Sequence, residues 1–294
     1  MDAKIATACI EDGPVLRIGV IGTENSHTDH FVRHLNVEGR HEGCRVVVLA
    51  GGDTEKNRQL AVAGQIDDIV ETAEDLVDRV DAAIVADRHG GLHRSHAEPL
   101  LDAGKHVFVD KPTALTVADT KAIIAAAERG GGVLGSWSAV RLSPTVDEIR
   151  AATSGLGDIQ TVAVTGPADR DDPHAGLFFY GSHVVEPALE LLGNPDVTDV
   201  HTLGAADSVT ATARAGDVQL SLSFVRPDTH GRVPWHMVVA GRHGLVAREL
   251  ELGADYNARG LARFIDAALS GVPPMPYEQL LPPVQLLETV VAQL

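Results

Sequence analysis

The sequence predicts an α/β fold in two parts: a doubly wound parallel-sheet domain over residues 1–140, then an α+β domain with a mainly antiparallel sheet over 141–294. Apolar, strand-like runs alternate with helical patterns from residue 15 to 138, the order of a sheet covered by helices on both faces. Within that stretch Asp81–Pro112 fits strand, helix and strand into about 30 residues, the length of one βαβ unit with parallel strands. Beyond residue 145 strands follow one another closely, with turns such as Ala215-Gly216-Asp217 between them, as in an antiparallel sheet.

In order, Val15–Ile21 reads as the first strand, entering the turn Gly22-Thr23-Glu24-Asn25-Ser26-His27 and a helix through Leu35. Strand, tight glycine turn and helix together form the context in which helix amides bind a pyrophosphate. Arg45–Ala50 is the second strand, followed by Gly51-Gly52-Asp53, and residues 57–64 and 71–80 read as helices. Ala82–Ala86 is apolar throughout, as in a strand buried on both faces. After the polar turn Asp87–Gly91, Leu92, His96, Leu100 and Leu101 recur at helical spacing until Gly104 stops the helix. Val107–Val109 is the next strand, Asp119–Arg129 a helix, and Val133–Ser138 closes the sheet. In the second part the strands are Val162–Thr165, Val200–Leu203, Val209–Arg214, Val218–Val225 and His236–Ala240. Its helices are Val184–Leu192, Asn257–Leu269 and Leu280–Gln293.

The formal net charge of −17 is spread along the chain and argues against nucleic-acid and anionic-membrane partners. Cys9 and Cys44 alone give neither a disulfide framework nor a cysteine metal site. No apolar run reaches membrane-spanning length, and the first residues lack the charged and apolar regions of a signal peptide. A soluble, cytoplasmic protein with a small-molecule substrate is expected.

Lys111 is the leading candidate for chemistry. It ends a buried strand and precedes Pro112, which stops the ladder, so its ammonium is aimed into the crevice where open α/β sheets place ligands. The run DAAIVA…AEPLLDAGKHVFVDKP resembles the Gfo/Idh/MocA oxidoreductases, whose hallmark is Glu-Lys-Pro after such a strand; Asp110 stands where that family has Glu. The resemblance implies a Rossmann domain, a nicotinamide cofactor and a second domain whose open sheet face mediates homo-oligomerisation, as dimer or tetramer. It also implies hydride transfer to or from a hydroxyl or carbonyl carbon of a sugar, cyclitol or related polar metabolite.

The cofactor residues it implies are Gly22, Thr23, Glu24, Asn25, Ser26, His27, Asp53, Asp87, His93, Asp110 and Lys111. Two of these depart from the dinucleotide fingerprint: Glu24 replaces its second glycine, where a carboxylate repels phosphate, and His27 replaces a small residue. Asp53 lies about two positions beyond the acid that bonds the ribose hydroxyls. With no arginine beside it, NAD is favoured over NADP. The segment Phe178–Glu186 resembles the family's D-x-G-x-H-x-x-D, which makes His183 the acid/base partner of Lys111, with Glu186 three residues on at the start of a helix. Phe179 stands where the family has aspartate, so Tyr180, His174 or Glu186 compensates or the chemistry differs. His27, His30 and His34, or His89, His93 and His96, could ligate a metal or be tolerated helix-surface groups. A redox-neutral or metal-assisted lyase or hydrolase, and a ligand-binding module on the same fold, are the rival functions.

Overall fold

The computed structural model describes residues 16–294; Val15, Cys9 and the N-terminal arm lie outside the described residues. The first sheet collects the apolar runs: β1 (Leu16–Ile21), then α1 (His27–Val32), which continues as a π-helical turn to Val37, then β2 (Cys44–Ala50). Next come α2 (Thr54–Gly64), β3 (Asp68–Val70), β4 (Ala82–Val85), α3 (His93–Asp102), β5 (His106–Val109), α4 (Val117–Gly130) and β6 (Leu134–Ser136). The strands are all parallel, in the order β3-β2-β1-β4-β5-β6, the doubly wound topology expected. The order reverses between β1 and β4, and a crevice opens there at the carboxyl ends of the strands. Every residue of β4 is buried, because helices cover both faces of a parallel sheet.

The rest of the chain is α5 (Pro144–Thr153), β7 (Ile159–Pro167), α6 (Leu177–Leu191), β8 (Val197–Gly204), β9 (Ser208–Ala215) and β10 (Val218–Val225). It ends with β11 (His236–Gly241), β12 (Gly244–Glu249), α7 (Ala258–Ser270) and α8 (Leu281–Ala292). The second sheet runs β12-β11-β7-β10-β9-β8, antiparallel except where β10 lies parallel to β7. Its strands alternate: Leu220, Leu222 and Phe224 of β10 are buried while Ser221 and Ser223 are half-exposed on the opposite face.

Several elements differ from expectation. The helix expected over 71–80 is a single 3₁₀ turn, Glu74–Leu76. Thr72 and Asp75 bond each other instead of extending it, and Leu76 and Val80 are fully buried. The helix expected from Val184 begins at Leu177, so His183 and Glu186 lie inside α6 and not at its start. Gly181 lets α8 approach there, since a Cβ at that position would lie 2.9 Å from the Leu287 side chain. β3, α5 and β12 were not anticipated.

Candidate active site

Three chain segments converge above the crevice. The first is the turn between β1 and α1. Gly22 has φ +82°, and a Cβ there would lie 2.2 Å from the backbone nitrogen of Asp87, so only glycine lets β1 turn this close to the β4 exit. Asn25 ties the turn to the sheet: its Nδ2 donates to the Ala86 carbonyl at 2.9 Å and to Asp110 Oδ2 at 3.1 Å, and its Oδ1 accepts from the His27 amide. His27 Nδ1 lies 2.8 Å from the same Asp110 oxygen. Burial pushes the Asp110 carboxyl up, but the neighbouring His27 and Lys111 outweigh it and hold the group well below the usual carboxylate range.

The second segment is the end of β5. The Lys111 ammonium donates to the Phe179 carbonyl at 3.1 Å and lies 4.4 Å from the centroid of the Phe179 ring. No carboxylate lies within ion-pairing distance of it among the described residues. Burial lowers its pKa from the ordinary lysine value, with Asp110 and Glu186 partly opposing the shift. The third segment is α6. His183 Nδ1 lies 2.6 Å from Ser138 Oγ, and Oγ also accepts from the Val140 amide. Burial, reinforced by the nearby Lys111 charge, holds His183 well below the usual imidazole range. Glu186 sits one layer behind: its Oε2 accepts from the Ser138 amide at 2.7 Å, and burial raises its pKa to about 7 against the pull of Arg141.

These segments enclose a cleft of about 450 Å³. Lys111, His183 and Tyr180 all face it, and so do Asn25, Ser26 and His27. Tyr180 is 39% exposed and packs edge-on against Phe179 and His183. Other expected residues stand apart from the wall. Glu24 turns its carboxylate across the crevice mouth, where Oε1 accepts from the Arg88 amide at 3.0 Å. Asp53 caps α2 by accepting from the Lys56 amide. Asp87 pairs with His96 at 2.8 Å, and His93 bridges the carbonyls of Asp87 and Pro112. His174 bonds Asp172 and packs on the Phe179 ring at 4.9 Å. Among the described residues no group of three or more His, Cys, Asp or Glu is arranged to hold a metal ion.

Four wall or support residues had been missed. Arg88 lies three residues past the end of β4. Ser138 had been read only as the exit from the first sheet. Trp235 lies 5.4 Å from the His183 ring, and Tyr256 lies 5.6 Å from that of His27. The first two sit at strand ends, where a ligand role could have been suspected. Trp235 and Tyr256 come from irregular segments with no periodic signal.

A model described as an oxidoreductase family with an NAD-binding Rossmann fold matches residues 16–136. Residues 16–136 match the Gfo/Idh/MocA oxidoreductase family. Among its relatives, inositol 2-dehydrogenase 1 of Saccharopolyspora erythraea is 36% identical over 151 residues, 49% of this chain and 43% of that protein. D-apiose dehydrogenase of Paraburkholderia graminis is 32% identical over 201 residues, 63% of this chain and 51% of that protein. The matches thus span about half the length of these curated relatives. Scyllo-inositol dehydrogenase of Lactobacillus casei, solved with NAD(H) and scyllo-inositol, shares the fold over 95% of this chain and 96% of its own, with TM-score 0.81 and 15% identity. Both sheets of this chain therefore have counterparts in a solved structure. Among the described residues no helix is long and apolar enough to cross a membrane.

The turn fits a dinucleotide in most respects. The amides of Thr23, Glu24 and Ser26 donate to no partner among the described residues, and the buried Thr23 hydroxyl is likewise without one. Backbone donors gathered at such a turn suit a pyrophosphate. The misfit is the Glu24 carboxylate, which is drawn toward Arg88.

Proposed function

We propose that this chain is an NAD(P)-dependent oxidoreductase acting on a hydroxyl- or carbonyl-bearing carbon of a sugar, cyclitol or related polar metabolite. The convergence of Lys111 and His183 on one cleft that also receives the dinucleotide turn carries this reading. Gly22, Thr23, Asn25, Ser26 and His27 would hold the cofactor, with Glu24, Asp87, His93 and Asp110 shaping and bracing the turn. Asp53, at the N-terminus of α2 just past β2, would bond the ribose hydroxyls. β2 runs into Gly51-Gly52-Asp53 with no arginine there for a 2′-phosphate, which favours NAD.

Bound nicotinamide would supply or accept the hydride. Lys111 donates a hydrogen bond to the substrate oxygen and stabilises charge developing on it. Phe179 orients that ammonium with its carbonyl and ring. His183 takes or returns the hydroxyl proton through Nε2. The Ser138 hydroxyl serves either tautomer, because it accepts from Nδ1–H or donates to bare Nδ1 while Val140 keeps its oxygen in place. His183 can therefore present either a lone pair or a proton to the cleft. Tyr180 lines the substrate side, and Glu186 anchors Ser138 from behind. The half-exposed face of the second sheet is the surface through which we propose a homo-oligomer forms, dimer or tetramer, in the cytoplasm.

Lys111→Met should lower turnover by about 100-fold or more, with the melting temperature maintained, when both are measured on one preparation with a panel of cyclitols and sugars. Unchanged turnover would remove Lys111 from the chemistry. A redox-neutral reaction in the same cleft is the second reading, favoured by the carboxylate at Glu24. It predicts that NADH fails to bind at all.

A further inference from the structure

We propose that the substrate carries a carboxylate or phosphate group, held by Arg88 beside Lys111. This deepens the dehydrogenase reading and rests on it for the identity of the cleft. The chain has a net charge of −17, yet the cleft wall contains two basic side chains, Lys111 and Arg88, and no carboxylate. Arg88 is half-buried, and its guanidinium makes no hydrogen bond or ion pair among the described residues. Lys111 is buried and meets only a carbonyl and the rings of Phe179 and Tyr180. Its nearest sequence neighbour of opposite charge, Asp110, is already engaged by Asn25 and His27.

Two like charges facing one partly desolvated cavity repel each other, and the lowered pKa of Lys111 includes a contribution from Arg88. A ligand with its own anionic group relieves both. A guanidinium fork matches the paired oxygens of carboxylate or phosphate. Phe179 points the same way: where the resemblance expects an aspartate beside the lysine, an uncharged ring leaves the cation free for a charged substrate. A neutral polyol engages Lys111 through its reacting oxygen but leaves the Arg88 guanidinium without a counter-charge. The anion could instead be the dinucleotide's phosphate, and the test separates these sources.

Full-length wild type, Arg88→Gln and Arg88→Lys would be titrated calorimetrically with D-glucuronate, D-gluconate and glucose 6-phosphate. Glucose and myo-inositol serve as neutral counterparts, each with and without NADH, and melting temperature checks folding. At least one acidic probe should bind wild type about tenfold more tightly than its neutral counterpart. That preference should weaken with added salt. Arg88→Gln should abolish it, Arg88→Lys should restore part, and NADH affinity should change less than about twofold. Acidic probes binding no better than neutral ones would overturn the proposal. So would a loss of NADH affinity in Arg88→Gln as large as the loss for the acids, which would give the arginine to the cofactor. If wild type retains the acid preference but binds no NADH, the dehydrogenase reading fails while the anion site stands.

Discussion

Phe179 takes over the positioning part of an aspartate's work and leaves the proton to others. Its carbonyl and ring fix the Lys111 ammonium, at 3.1 Å and 4.4 Å, but neither can accept a proton. In the proposed reaction, proton balance would then fall on His183 and on the carboxyl behind it. Glu186 titrates near pH 7 in the folded chain, because burial outweighs Arg141 and the Ser138 amide. Its ordinary value is 4.5, so between those values the native state holds a proton that the unfolded chain has released. Its contribution to stability is therefore present at low pH and is lost as pH rises toward 7, by on the order of 3 kcal/mol. His183 has the opposite sign: neutral when folded, it loses stability as pH falls below its ordinary value. Glu186→Gln keeps an acceptor for the Ser138 amide but cannot ionise. Relative to wild type, the variant should gain stability between pH 5 and pH 8 by about 1–3 kcal/mol, read by denaturant unfolding at both pH values. Parallel pH dependence in the two proteins would place the carboxyl at its ordinary value.

At the scale of elements, the β1–α1 turn carries the main conflict between fold and ligand. Glu24 neither caps the helix nor faces open solvent; it bridges to the Arg88 amide, which leaves a negative charge at the mouth of the dinucleotide crevice. Glu24→Gln preserves an oxygen for that amide and removes the charge. NADH should then bind more tightly by about 1 kcal/mol, followed by nicotinamide fluorescence; equal affinity would mean that the carboxylate does not feel the phosphates. The surrounding elements were legible because a buried parallel strand such as β4 is apolar at every position and its punctuating glycines stand at the turns. The start of α6 was not legible, since Phe178-Phe179-Tyr180-Gly181 has weak helix propensity and is helical here through packing on α8. α5 carries a signal in the sequence, Ser143 capping the Thr145 amide ahead of Pro144. Lys111 and His183 were legible from strand-end placement and from the resemblance. Trp235 and Tyr256 were not, because only the tertiary fold brings their segments to the cleft.

The whole molecule does not divide at residue 140 as simply as its two sheets do. Leu261, Phe264, Ile265 and Ala268 of α7 belong to the first hydrophobic core, although they follow the second sheet in sequence. Phe264 is fully buried, its ring 5.8 Å from that of Phe108 on β5, and Phe108 in turn packs against Trp137. We propose the division 1–140 and 141–294 as one of function, cofactor against substrate, and not of folding: the first core is incomplete without α7. The two tryptophans allow this to be tested, because Trp137 lies in the first core and Trp235 packs against the second. Single-tryptophan versions, made by Trp137→Phe and Trp235→Phe, should unfold in denaturant with coincident transitions. Phe264→Ala should lower the stability reported by both tryptophans by about 3–5 kcal/mol, since emptying the α7 contact loosens a part of the first core that is tied covalently behind the second sheet. If the Trp137 signal moves to lower denaturant while the Trp235 transition stays where it was, the halves fold independently and α7 is a docked appendage of the first.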